Sequence, residues 1–161
     1  MTNLFPGLAR GPIDHEASSL VNTIANEAIT MGDLVQLDTS GPPTAEILPR
    51  IEVADGGQGL VAYGIAVGGD ADGIYAGGAA AADDTERAAT AAGESVVVLT
   101  QGRCLARVSG TITIGDFLTQ DATAGVLELA ATGDIVIAVA LQTSSGNDIA
   151  AVDVQRGQVA I

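Results

Sequence analysis

Ile29-Thr30-Met31-Gly32-Asp33 is answered by Ile112-Thr113-Ile114-Gly115-Asp116, and each phrase runs through an apolar stretch to a second aspartate, Asp38 or Asp121. Glycine accepts positive φ and an aspartate side chain can bond the backbone two residues on, so Gly-Asp reads as a turn that opens a strand. A looser echo comes later, with Tyr63-Gly64-Ile65-Ala66-Val67 answered by Ile137-Ala138-Val139-Ala140-Leu141. The two echoes do not share one offset, which excludes a solenoid of fixed period and points to two related β-halves.

Outward from these phrases the pattern stays β. Leu20 to Ile24 and Asp33 to Leu37 read as strands around a turn at Asn26-Glu27, and Ser40-Gly41-Pro42-Pro43 breaks the run. Glu46 to Val53 alternates, with Pro49 confining it to an edge or bulge, and Leu60 to Val67 reads as a buried strand after the loop Asp55-Gly56-Gly57-Gln58-Gly59. The second half reads as short strands at 94–99, 104–108, 111–114, 117–119, 126–129, 135–141 and 149–154, separated by Gly-containing turns that include Gln101-Gly102 and Thr132-Gly133-Asp134. Many short strands with such turns predict an all-β fold, a small β-barrel or sandwich, tulip-like in outline.

Two segments depart from the pattern. Residues 1–17 contain Pro6, Gly7, Gly11 and Pro12 among scattered apolar residues and read as an extended N-terminal arm. Leu4, Phe5, Leu8 and Ile13 in that arm need a surface to cover them, either their own domain or a partner. The remaining residues, 18–161, read as a single β-domain with an Ala/Gly-rich insertion at about 68–92. Within it Asp83 and Glu86 fit a capping box, Ala dominates the residues after them and Gly93 stands as a stop, so one short helix is expected from about Asp84 to Ala92.

The chain has 161 residues, room for one core, and 47% of them are hydrophobic with only two Phe, two Tyr and no Trp. A core of small aliphatic side chains contributes less transfer free energy per residue, which favours help from oligomerisation. The net charge is −14 although charged residues are only 16% of the chain, so basic residues are what is missing. There is no lysine, and Arg10, Arg50, Arg87, Arg103, Arg107 and Arg156 do not cluster. An acidic surface without a basic stripe repels phosphate backbones, which argues against nucleic acid and anionic membranes as partners. Lysine depletion fits two origins, codon bias and a halophilic protein working in high salt, where self-repulsion is screened.

Little in the chain supports catalysis. The single histidine, His15, lies in the arm, a poor platform for chemistry that needs close placement. Cys104 stands alone in an apolar run and reads as a small buried hydrophobe, not a nucleophile. Asp70-Ala71-Asp72-Gly73 resembles the start of a calcium loop, but no acidic residue arrives to close the cage, so it reads as a solvated turn. No phosphate-binding loop appears, because Gly56-Gly57-Gln58-Gly59 is followed by neither Lys nor a helix start. No cofactor and no metal are expected, and the chain reads as non-enzymatic. The first residues lack a signal peptide's basic region and apolar core, so synthesis in the cytoplasm is expected.

In succession, Gly32-Asp33-Leu34-Val35, Gly64-Ile65-Ala66, Ala92-Gly93-Glu94-Ser95-Val96-Val97-Val98, Gly115-Asp116-Phe117-Leu118 and Ser145-Gly146-Asn147-Asp148-Ile149 resemble the small β-domain head decoration, or capsid cement, proteins of tailed viruses. The resemblance spans residues 18 to 154. It implies a virion protein on the outer surface of the capsid, commonly a homotrimer, that binds the major capsid protein and stabilises contacts between its subunits. Under that reading the arm makes the capsid contact, with Leu4, Phe5, Leu8, Arg10 and Ile13 as candidate residues, by strand addition or by insertion into a groove. The alternative is a secreted or cell-surface β-module, steadied by calcium at Asp70 and Asp72.

Overall fold

The computed structural model of the protein describes residues 19–39, 48–56, 62–69, 89–146 and 148–159. Thirteen strands lie among them: β1 Ser19–Ala25, β2 Ile29–Thr30, β3 Leu34–Leu37, β4 Arg50–Val53, β5 Gly64–Gly69, β6 Ala89–Thr90, β7 Ser95–Val108, β8 Thr111–Ile112, β9 Phe117–Gln120, β10 Leu127–Leu129, β11 Ile135–Ala140, β12 Ser144–Ser145 and β13 Asp148–Val159. The fold is all-β, as the turn and strand pattern predicts.

Nine strands hydrogen-bond in the order β1-β4-β3-β5-β7-β10-β9-β11-β13, and two further pairings, β1–β7 and β7–β13, close that order into two rings. The first ring is β1-β4-β3-β5-β7 and the second is β7-β10-β9-β11-β13. Both are five-stranded, and both use β7. Its N-terminal part pairs with β1 and β5, from Ser95 opposite Ile24 to Leu99 opposite Ile65. Its C-terminal part pairs with β13, from Gly102 opposite Val154 to Val108 opposite Asp148. Closing a small sheet on itself removes unpaired edges, which a lone open sheet of this size would leave exposed.

The rings are two copies of one unit. Each has a single parallel contact, β1 with β4 in the first and β7 with β10 in the second, and otherwise antiparallel ones. Beside each lies a two-stranded ribbon, β2–β6 or β8–β12. Individual bonds match as well: the Asn26 N–H donates to Ile51 O at 2.8 Å and the Ser109 N–H to Leu127 O at 2.8 Å. The second echo is exact in register, because Gly64 pairs with Val35 as Ala138 pairs with Leu118. Its offset differs from the first echo's because the connections within the first half are longer.

Alternation along the strands sets the interiors. Ile29, Val35, Ile51, Ala66, Val96 and Val98 are buried together in the first ring. Their counterparts Ile112, Leu118, Leu127, Ala140, Ala150 and Val152 are buried in the second. The larger Leu118 stands where the first ring has Val35, and Leu127 where it has the isomeric Ile51. Leu34, Ile65 and Leu99 alternate to the outer face of the first ring, yet they belong to the same buried cluster as Val108, Ile112 and Leu118. The first ring thus packs its outer face against the second.

Several boundaries differ from the sequence reading. Ala89 and Thr90, placed in the expected helix, are strand β6 and pair with Thr30 and Ile29. Pairing with β2 outweighs the helical propensity of alanine at that end, and residues 84–88 of the expected helix lie outside the described residues. Gln101-Gly102, read as a turn, is the point where β7 passes from one ring to the other without a break. Strand β4 is not an edge, since it pairs with both β1 and β3. Pro49 is compatible with this because it precedes the strand and offers only its carbonyl, which accepts the Ile24 N–H at 2.9 Å.

Candidate interaction surface

Each Gly-Asp turn forms a corner of its ring, and the Gly32-Asp33 corner is where the rings meet. At the first, Gly32 has φ +94°, the Asp33 N–H donates to Thr30 O at 3.0 Å, and the Thr30 N–H donates to Asp33 Oδ2 at 3.1 Å. The second corner is built alike, with Gly115 at φ +94° and the Thr113 N–H donating to Asp116 Oδ2 at 2.7 Å. The carboxylate reaches back three residues, not forward two as the sequence reading has it. Each glycine N–H is held by a neighbouring strand, Gly32 by Ala66 O of β5 and Gly115 by Ala140 O of β11, both at 2.8 Å.

A loop of the second half is wedged into the first corner. The Leu34 N–H donates to Gly125 O and the Gly125 N–H donates to Ala54 O, both at 2.9 Å, so Gly125 sits between Leu34 and Ala54. The Arg107 N–H also donates to Gly32 O at 2.9 Å, with the Arg107 guanidinium 3.8 Å from Asp33 Oδ1. The fit depends on glycine. Gly125 has φ +75°, and a Cβ there would lie 2.8 Å from Val53 Cγ1. Nearby, Gln120 Nε2 donates to Asp55 O, and a Cβ on Gly56 would overlap the Ala122 carbonyl.

The second corner has the same architecture and no such wedge among the described residues. The Ala130 N–H donates to Phe117 O at 2.8 Å, as the Ala54 N–H donates to Leu34 O. Burial reflects the difference. Leu34 is 0% exposed while its counterpart Phe117 is 43% exposed; Ile114 is 65% exposed, where its counterpart Met31 is buried in the first ring's own cluster. Leu129, Leu141 and Ile135 of the same ring are exposed as well. Among the described residues the other exposed large apolar side chains are Leu37 and Leu48, at the far end of β3 and just before β4.

Partial burial opposes the charge on Glu128, and Asp121 and Asp134 add to that opposition, so its pKa lies above the usual 4.5. Partial burial also works to raise Asp121, but the Ser109 hydroxyl and the Thr123 N–H and hydroxyl outweigh it and hold the carboxyl below its usual value. The Thr123 N–H donates to Asp121 Oδ1 at 2.7 Å, and the Ser109 hydroxyl donates to Asp121 Oδ2.

The arm residues Leu4, Phe5, Leu8, Arg10 and Ile13 lie outside the described residues, as do His15, Asp70 and Asp72. Cys104 is buried inside the second ring, where burial first and Asp153 second push its thiol up to about 12. That environment suits the small buried hydrophobe expected and keeps the sulfur a neutral thiol. Among the described residues no group of three or more His, Cys, Asp or Glu side chains could hold a metal ion. Sequence reasoning does not single out the second corner. Its one signal is that Phe117 stands where the other copy has Leu34.

No protein-family model matches the chain. No curated protein matches it either. Among solved structures the chain is similar to the head fiber gp8.5 N base of bacteriophage phi29, with 10% sequence identity and a TM-score of 0.50. The match covers 89% of this chain and 99% of that one. At this identity the likeness is one of fold, and its reach means that both rings take part in it.

Proposed function

We propose that this chain is a structural protein of a viral head, a decoration protein that binds the outer surface of the assembled capsid and stabilises contacts between major capsid subunits. The observation that carries the reading is the match over nearly the whole of both chains with a phage head fiber base. The succession of strand-entry motifs from Gly32-Asp33 to Ser145-Gly146 supports it independently, because it resembles capsid cement proteins on sequence grounds. A buried neutral Cys104 and a core of small aliphatic side chains suit a scaffold without catalytic duty.

In this reading the N-terminal arm makes the capsid contact, with Leu4, Phe5 and Leu8 entering a groove or Leu4 to Ile13 adding as a strand, and Arg10 meeting an acidic group. Several arms on one homotrimer would bind with avidity. The test is co-sedimentation of the purified protein with heads of the virus that encodes it, after those heads have been stripped of the protein. The full chain is expected to bind stripped heads and raise their thermal stability, and a chain lacking residues 2–17 to fold but not bind. Full occupancy by the truncated chain would remove the arm from the mechanism, and no binding by the full chain would remove the reading itself.

A further inference from the structure

We infer that the exposed corner of the second ring, around Ile114, Phe117 and Leu129, is an interaction surface for a second copy of this chain, received at the end of the first ring marked by Leu37 and Leu48. The contact is head to tail. It does not depend on the capsid reading.

The argument starts from what the same corner does inside one chain. Leu34, at the first corner, leaves its own ring's interior and joins the buried cluster of the second ring with Val108, Leu118 and Leu127. The first ring therefore offers its corner to a neighbouring ring of the same fold, and Leu34 becomes fully covered. Phe117 occupies the equivalent position in the second ring and has no ring beyond it among the described residues. It is one of only two phenylalanines in a chain whose core is otherwise aliphatic, and it stays 43% exposed. A half-exposed aromatic beside Ile114 at 65% and Leu129 at 52% marks a surface that gains from being covered.

The receiving end is located by the same equivalence. The first corner docks on the second ring near Gln120 and Gly125, in the segment that links β9 to β10. The corresponding segment of the first ring links β3 to β4, and its described ends carry Leu37 at 44% and Leu48 at 37% exposure. Leu37 is the register counterpart of Gln120, since Leu37 pairs with Ile51 as Gln120 pairs with Leu127. By register the first half has no glycine at that position. Pro49 stands in place of Gly125 and has no N–H to donate, so side-chain packing of Leu37 and Leu48 against Phe117 takes the place of the backbone bridge. Repeating the intrachain relation once between chains would cover both exposed apolar sets. Such a contact joins two different surfaces, so it propagates into a closed ring or an open chain of copies.

Chains that each carry −14 charges repel one another, so association is expected to strengthen as the Debye length falls from about 10 Å at 0.1 M salt to about 3 Å at 1 M. The test is the mass of the purified full chain by sedimentation equilibrium in molar salt, with Phe117→Asp and Leu37→Asp as the disabling variants. Both positions are exposed, and far-UV spectra with melting curves check that each variant folds; Ile114→Asp and Leu48→Asp replace any that does not. The parent is expected to form a larger species, and each single variant to associate at least about tenfold more weakly. An equimolar mixture of the two should recover a species of two chains and nothing larger, because one intact corner then meets one intact receiving end. A parent that stays monomeric, variants that assemble like the parent, or a mixture that stays monomeric while the parent assembles would each overturn the inference.

Discussion

At Gly115 the backbone sits at φ +94° with open space where a Cβ would go, so the cost of a side chain there is conformational alone. Gly115→Ala is expected to lower stability by about 1–2 kcal/mol, read from the denaturant midpoint. Gly125→Ala adds contact with Val53 and Asp33 to an equally unfavourable φ, and roughly 2–4 kcal/mol is expected. Equal losses at the two positions would show that the wedge between Leu34 and Ala54 is loose. Cys104, with its thiol raised to about 12, should resist alkylation in the native state and react when the chain is unfolded in denaturant. Glu128 provides the pH test. Its folded pKa lies above the unfolded value, so ionisation disfavours the native state as pH rises through that range, and the penalty is absent below the unfolded value. Glu128→Gln should therefore melt higher than the parent near pH 7 and coincide with it at about pH 3.5. A gain that persists in acid would assign the effect to packing instead.

At the scale of elements, the turns and most strands are legible because each carries local chemistry. Gly-Asp and Gly-Asn-Asp mark turns, and Val96-Val97-Val98-Leu99 marks a strand buried on both faces. The illegible features are long-range. The parallel contacts of β1 with β4 and of β7 with β10 leave no trace in either strand's composition, so ring closure is hidden. Strand β7 reads as two strands because Gln101-Gly102 has the composition of a turn, and only its partners on either side keep it extended. In the Ala-rich stretch propensity is the sole guide, and it fails at Ala89 and Thr90 because β2 is there to pair with them. Leu118 fills the second ring's interior beside Leu34 of the first, so Leu118→Ala is expected to cost about 2–5 kcal/mol and to lower the melting of both rings in one transition. Two separated transitions would show that the rings fold independently.

For the whole molecule, the internal echo proves to be a duplication of an entire five-stranded unit, with the same strand order, parallel contact and corner turn in both copies. The exposed corner is the least legible feature. Leu34 and Phe117 are both apolar residues after Gly-Asp, and only the position of the partner ring decides which is covered. The lysine-free, acidic composition belongs to this scale as well. A halophilic origin predicts a melting temperature that climbs from low to molar salt, as screening relieves the repulsion among a net −14 charges. A flat response would leave codon usage as the account of the missing lysine.

The strand held in common by both rings also orders events during synthesis. The N-terminal ring has all its strands once residue 101 has left the ribosome, whereas the other cannot close until β13, the last strand, is made. In that interval Leu34 projects from a finished ring before the second ring is there to cover it, much as Phe117 stands half-exposed among the described residues. On a crowded polysome a nascent chain would thus present to its neighbours the surface it later hides, and slow translation between β7 and β13 should raise the yield of entangled chains.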